Sequence, residues 1–286
     1  MAENRRRAAR TNTTLAASTT PNTPRRARTA PAEGWRGIKY LLLTGILTAA
    51  LLGNLTLLVF DPMTLLYRAL TTAILPVLDR IHAVDLGAWD KEMIVVDNCS
   101  TDGTRELLQQ VKWPEARVIF HPRNMGKGAS IRTGFAQASG DYAVVQDADF
   151  EYDPEELPLF LRAVEETGAD AVFGSRTQGG RAIYKYVQNY LGVRSLTFIT
   201  NLLFGGHLSD VAVGTKLLKR EVFKTLELRG TGFELDFELP ALVLKAGRRV
   251  VEVPISYHPR TAAEGKKIRP LDGLRALWTI LKVRFR

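Results

Sequence analysis

Gly140-Asp141-Tyr142-Ala143-Val144-Val145-Gln146-Asp147-Ala148-Asp149-Phe150-Glu151-Tyr152-Asp153-Pro154 is the stretch on which the fold turns. Tyr142 to Val145 is a short apolar run with turn signals at both ends, as a buried strand requires, and it ends in Gln146. Asp153 before Pro154 opens a helix over Pro154 to Glu166, with an N-cap acceptor and Pro at the first helical position. Between strand and helix stand Asp147, Asp149 and Glu151. In an open α/β sheet the binding crevice forms beyond the carboxyl ends of the strands, so acidic residues there carry weight. Asp147 and Asp149 can both face a hard divalent cation such as Mg2+ or Mn2+, which takes carboxylate oxygens and bridges phosphates. A lone Asp-x-Asp is common; the strand before this one and the Pro-led helix after it make it specific.

Outward from this block, short apolar runs alternate with longer amphipathic ones. Met93 to Val96 reads as a strand ending at Asp97, Thr104 to Val111 as a helix, Val118 to Phe120 as a strand and Ala129 to Ala138 as a helix. Ala171 to Phe173 is a strand, followed by a mixed region to Leu218, a helix near Phe233 to Lys245 and a strand Val250 to Tyr257. The alternation predicts an α/β domain around a mainly parallel sheet flanked by helices. A second cluster, Asp97-Asn98-Cys99-Ser100-Thr101-Asp102-Gly103-Thr104, also follows a strand. Asn124-Met125-Gly126-Lys127-Gly128 lacks the Gly-x-x-x-x-Gly-Lys-Ser/Thr spacing, which argues against a nucleotide triphosphatase. Lys127 there either approaches a bound ligand or stands in a plain helix-start turn.

At 286 residues and 45% hydrophobic, the chain buries one full core even with a tail set aside. The net charge of +9 is not a nucleic-acid signal: residues 1–36 hold eight Arg against Glu3 and Glu33, most of the excess. This 1–36 stretch is expected to be a disordered basic tail, free in solvent or touching anionic headgroups; its Arg-rich, acid-poor composition also fits a transit peptide. The single cysteine, Cys99, excludes an intramolecular disulfide and suits a reducing compartment. Residues 37–80 are expected to form a hydrophobic membrane-associated segment. Tyr40 to Phe60 is an uncharged run of 21 residues, long enough to span a bilayer, with a buried helix as the alternative. Met63 to Leu78, interrupted by Arg68, suits an interfacial segment or a return crossing. From Leu271 a helix carries Leu271, Leu274, Leu277, Trp278, Leu281 and Phe285 on one face, suited to a membrane interface or to the domain's core.

Residues of about 92–270 resemble family 2 glycosyltransferases of the GT-A fold, nearest to polyprenyl-phosphate sugar transferases of the dolichyl-phosphate mannose synthase type. The resemblance rests on Ile94 to Thr104, Asn124 to Gly128, Gln146 to Pro154, Ser175-Arg176, Gly214-Thr215-Lys216 and Val253 to Lys267. It implies a Rossmann-like sheet in a glycosyltransferase domain over 81–270, with 271–286 as an appended amphipathic helix. It also implies an inverting enzyme using Mg2+ or Mn2+. Asp147, Asp149 and Glu151 would hold the metal; Asp97, Asn98, Lys127, Gln146 and Asp147 would meet the donor, a nucleoside-diphosphate sugar of the GDP-mannose or UDP-glucose type. Arg176, Arg260, Lys266 and Lys267 would hold the acceptor phosphate, a dolichyl or undecaprenyl phosphate, with Asp147, Asp149 and Arg260 carrying catalysis. The catalytic domain would face the cytoplasm from a membrane.

The chemistry agrees. A departing nucleoside diphosphate gains negative charge that a bound cation stabilises. A lipid phosphate is already anionic, so its attack needs no general base, only Arg and Lys groups to hold it. A hydroxyl acceptor would instead need a base, for which Asp236 and Glu238 are the candidates, beside a structural role for both. His258 reads as a loop histidine. Two departures stand out: the Pro-x-Tyr-Asn-Glu motif expected about thirty residues before Asp97 is missing, and Asp-Asp-Gly-Ser has become Asp97-Asn98-Cys99-Ser100. They open a third reading, a catalytically silent scaffold, and raise the question whether Met63 to Ala69 replaces the first strand.

Overall fold

The structure, a computed structural model, describes residues 11–17, 76–148, 151–178, 187–259 and 270–286. Among the described residues, seven strands form one sheet in the order β3-β2-β1-β4-β6-β5-β7. They are β1 Thr11–Ala17, β2 Lys91–Asp97, β3 Ala116–Phe120, β4 Tyr142–Asp147, β5 Ala171–Ser175, β6 Lys216–Lys219 and β7 Val250–Pro254. β6 runs antiparallel to both neighbours; every other pairing is parallel. The helices are α1 (residues 76–83), α2 Thr104–Leu108, α3 Lys127–Gln137, α4 Leu157–Thr167, α5 Val187–Phe204, α6 Arg220–Phe223, α7 Leu235–Lys245 and α8 Pro270–Phe285.

Parallel strands read as continuous apolar runs because helices cover both faces. β2 meets that rule: Ile94 and Val96 enter the main core with Phe135, Phe160 and Phe173, while Met93 and Val95 pack with Val77, Leu78, Ile81 and Leu108 on the other face. Val77 and Leu78, assigned by composition to the membrane segment, are therefore core residues of α1. The helix after β4 begins with a 3-10 turn, Pro154–Glu156, and the Asp153 side chain accepts from the Glu155 amide at 3.0 Å, the expected N-cap.

The missing first strand is supplied from an unexpected place. Thr11–Ala17, inside the tail expected to be disordered, pairs in parallel with β2 on one side and β4 on the other. These seven residues are uncharged and carry three Thr, a composition compatible with a strand. Inserted between two strands, the backbone of β1 finds partners on both sides, which the unpaired edges of β2 and β4 would otherwise lack. Met63 to Ala69, the other source considered, lies outside the described residues, as does Tyr40 to Phe60. Among the described residues no helix is long and apolar enough to cross a membrane.

α8 turns an unexpected side inward. Ala276, Ile280 and Val283 are buried, while Leu271, Leu274, Trp278 and Phe285 point outward. α5, which the sequence left inside a mixed region, does the same: Leu196, Thr197 and Thr200 are buried, and Leu191, Phe198 and Leu202 form an exposed stripe at helical spacing.

Candidate active site

Four segments meet at the carboxyl ends of the central strands: the end of β4 with Asp147, the start of α3 with Lys127, the turn before β6 with Gly214, and the first turn of α7 with Asp236. Lys127 joins them. Its ammonium lies 2.9 Å from Asp147 Oδ2 and 3.1 Å from Asp236 Oδ2, with its side chain only 7% exposed. Burial alone would lower its pKa, but the two carboxylates together raise it above the ordinary lysine value, so the pair holds a charged lysine. Gly126 and Gly128 let this helix start come close. A Cβ at Gly126 would stand 2.1 Å from the Thr231 carbonyl oxygen, and one at Gly128 2.3 Å from that of Gly230. The Gly-Lys-Gly sequence is thus a backbone docking surface for the loop before α7, which Arg132 also grips through the Gly230 carbonyl.

The Asp97 carboxylate is fully buried. One oxygen accepts from the Ser100 amide at 3.0 Å, and the other takes Arg105, with Nε at 2.8 Å. Asn98 also faces inward: its side-chain oxygen accepts from the Met125 amide at 2.8 Å and its NH2 donates to Asn124 at 2.9 Å. Both residues expected to meet the donor thus hold the loops after β2 and before α3. Cys99, between them and Ser100, sits at φ +65°, the left-handed region where a side chain is strained. Cys99→Gly is expected to raise unfolding stability by about 0.5–1 kcal/mol, read by urea denaturation; equal or lower stability would contradict the strain.

Gln146 is fully buried, and its NH2 donates to the carbonyls of Asp147, at 3.3 Å, and Tyr152, at 3.4 Å, bracing the acidic turn from beneath. Glu151 Oε2 receives Tyr257 Oη at 3.5 Å. Arg176 is committed to Asp210 in a two-pronged pair, Nε to Oδ2 at 2.6 Å and Nη2 to Oδ1 at 2.8 Å, with the guanidinium 4.9 Å from the Tyr257 ring centre. The guanidinium expected to hold the acceptor phosphate thus has Asp210 as a partner on one edge. Glu238 is also consumed, accepting from the amides of Arg229 and Gly230. Asp149, Arg260, Lys266 and Lys267 lie outside the described residues. Among the described residues, no group of three or more acidic, His or Cys side chains could hold a metal ion.

Lys216, of the Gly214-Thr215-Lys216 stretch, is fully buried, its ammonium donating to the Val213 carbonyl and lying 6.0 Å from the Phe173 ring centre. Burial pulls its pKa down to about 8, with Asp236 opposing and Lys127 adding to the fall. Because the folded value lies below the unfolded one of 10.5, the unfolded chain binds more protons between them, and stability rises with pH across that window. Between about pH 7 and about pH 9.5, the wild type is expected to gain roughly 2 kcal/mol relative to Lys216→Met. Parallel urea curves for the two proteins at both pH values would contradict it.

Residues 71–227 match the family described as "Glycosyl transferase family 2". A low-salt glycan biosynthesis hexosyltransferase of Haloferax volcanii is 31% identical over 191 residues, covering 64% of this chain and 43% of the relative. A dolichol-phosphate mannosyltransferase of Pyrococcus furiosus is 32% identical over 185 residues, 61% of this chain and 50% of the relative. An undecaprenyl-phosphate mannosyltransferase of Micrococcus luteus is 28% identical over 188 residues, covering 62% of this chain and 76% of the relative. The chain thus matches about half the length of the first two relatives or less. Among solved structures, glucosyl-3-phosphoglycerate synthase from Mycobacterium tuberculosis with Mg2+ and uridine diphosphate superposes with a TM-score of 0.60 at 18% identity, over 97% of this chain and 80% of that one, a likeness of fold. With the acidic turn at the end of β4 held by a buried lysine, and more than half of the sequence matched by one family, the chain belongs to glycosyl transferase family 2.

Proposed function

We propose that this chain moves a sugar, with inversion, from a nucleoside-diphosphate sugar to a polyprenyl phosphate. The observation that carries the reading is Lys127 held between Asp147 and Asp236. It keeps a positive charge at the end of β4, where a diphosphate leaving group would sit, and it occupies the carboxylate that a hydroxyl acceptor would need as its base. Glu238, the other candidate base, is taken up by backbone amides. An acceptor that is already anionic needs neither. Two of the relatives are named for lipid-phosphate acceptors, which supports the same choice.

The residues suit a divalent cation. Mg2+ at nucleotide sites is held by one or two carboxylates, with substrate phosphates and water completing its shell, so a full protein cage is not required. Asp147 provides such a carboxylate, already drawn to a cationic partner, and Asp149 follows two residues on. When bound, the ion would neutralise charge on the departing diphosphate. The solved neighbours carry Mg2+ or Mn2+ with uridine diphosphate. Lys127 would add a second positive charge to that phosphate, while Asp236 keeps the ammonium aimed. The acceptor oxygen then attacks the anomeric carbon from the opposite side, and the bond to the diphosphate breaks. Arg260, Lys266 and Lys267 are the proposed holders of the acceptor phosphate, Arg176 being already paired. Titration calorimetry with uridine or guanosine diphosphate and Mn2+ tests this against a silent scaffold: heat lost on Asp147→Asn is expected, and no heat from the wild type would overturn the reading.

The domain would work at a membrane, its catalytic face toward the cytoplasm. The outward stripes of α5 and α8 support this, as do the basic residues beside them: Arg194 on α5, and Arg275, Lys282 and Arg284 on α8 against Asp272. Apolar stripes flanked by cations suit an interface with anionic lipid. The full chain, in vesicles of phosphatidylcholine and phosphatidylglycerol with brominated acyl chains, is expected to lose the Trp278 share of its fluorescence. Equal quenched fractions in wild type and Trp278→Phe would contradict it.

A further inference from the structure

We propose that Gly214 and Tyr152 form a clamp that sets the direction of the Asp147 carboxylate, making both positioning residues for the cation and diphosphate. The proposal rests on the reading of Asp147 given above. Gly214 is not at a left-handed φ, so its backbone tolerates any residue; what it provides is space. A Cβ there would stand 2.8 Å from Asp147 Oδ2 and 2.9 Å from Tyr152 Cε2, both closer than real Cβ contacts allow. Oδ2 is also the oxygen that Lys127 reaches at 2.9 Å. The carboxylate is therefore packed between the Gly214 backbone on one side and the ammonium on another.

Tyr152 closes the arrangement. The Gly214 amide donates to its Oη at 3.1 Å, and its ring lies tilted against that of Tyr257, the ring centres 5.4 Å apart. The carbonyl of Tyr152 accepts from Gln146, which also holds the Asp147 carbonyl. Both ends of the acidic turn are thus tied, one through Gln146 and the other through Gln146 and Gly214 together. The neighbours are well buried: Val213 and Thr215 flank the glycine with almost no exposure, and the Tyr152 ring cannot swing outward without leaving the core. An added methyl group at 214 has to be met by moving the Asp147 carboxylate, the one charged and chemically committed group in the contact.

Octahedral Mg2+ and Mn2+ sites tolerate little displacement of a carboxylate, and residues that orient metal ligands change affinity by about 10–100-fold when altered. The test is Mn2+ titration by electron paramagnetic resonance on the full chain with uridine or guanosine diphosphate, for wild type, Gly214→Ala, Tyr152→Phe and Asp147→Asn. Melting temperatures are measured without Mn2+. Gly214→Ala is expected to bind Mn2+ about 10-fold more weakly or worse with its melting temperature little changed, and Tyr152→Phe, which keeps the ring but loses the acceptor, to fall between it and wild type. If Asp147→Asn weakens Mn2+ binding while a folded Gly214→Ala binds like wild type, the clamp is overturned and the reading of Asp147 stands. If Asp147→Asn leaves Mn2+ binding unchanged, that reading fails and the clamp fails with it. Should Gly214→Ala not fold, Tyr152→Phe decides by the same comparison.

Discussion

Asp147→Asn is expected to slow sugar transfer by about 10²–10³, equivalent to roughly 2.7–4 kcal/mol of lost transition-state stabilisation, while the protein stays folded. The carboxamide oxygen still accepts from Lys127, and Asp236 remains as that lysine's partner, so no buried ammonium is left alone. What disappears is the negative charge that, on the proposed reading, would draw a divalent cation to the leaving diphosphate. Initial rates measured against Mn2+ concentration should show a lower maximum and a higher half-saturating Mn2+. A rate within threefold of wild type, with unchanged Mn2+ dependence, would remove Asp147 from the chemistry. Addition of EDTA to the wild type should mimic the variant.

Asp210→Ala is expected to destabilise the fold by about 3–5 kcal/mol, the largest stability effect foreseen for a single substitution here. Asp210 is fully buried, and its carboxylate holds Arg176 through both oxygens, at 2.6 and 2.8 Å. Burial would raise its pKa, yet the Arg176 charge beside it lowers it below the usual carboxylate range. A group with a depressed folded pKa contributes stability above its unfolded pKa and loses it as pH falls through the folded one, so the pair strengthens the fold at neutral pH and fails in acid. Removing the carboxylate takes both of these bonds from a guanidinium held in the interior. Urea denaturation at neutral pH reads the loss. The double variant Arg176→Met with Asp210→Leu should recover much of it, since apolar side chains of similar size often replace a buried pair at little cost. Equal losses in single and double variants would show that Arg176 matters through more than its partner.

The strand ends were legible because they obey a local rule: an apolar run followed by acidic and glycine-rich turn residues, as at Asp97 and Asp147. Asp153 as an N-cap was legible for the same reason, one side chain acting on an amide two residues away. Harder to see was β1. Composition averaged over an Arg-rich tail hides seven uncharged residues, and a strand contributed from about eighty residues before Asp97 is a non-local pairing that no window near the missing motif contains. β6 escaped notice because it is four residues long and begins with a lysine, Lys216, that is buried against expectation. The Arg176–Asp210 pair was not legible because the two residues lie 34 apart, with nothing in the intervening sequence to announce it. The outward apolar faces of α5 and α8 needed the structure too: helical spacing identifies a stripe, but only packing shows which way it points.

Incubating membranes that contain the full chain with labelled nucleotide sugars and polyprenyl phosphate, then extracting into organic solvent, tests the central claim most directly. Label should enter the lipid fraction with wild type and not with Asp147→Asn, in a product that mild acid cleaves to the free sugar, as a phosphodiester of the anomeric carbon must be. Label that instead appears in an acid-stable glycoside, or that remains in the aqueous phase with every donor supplied, would contradict it.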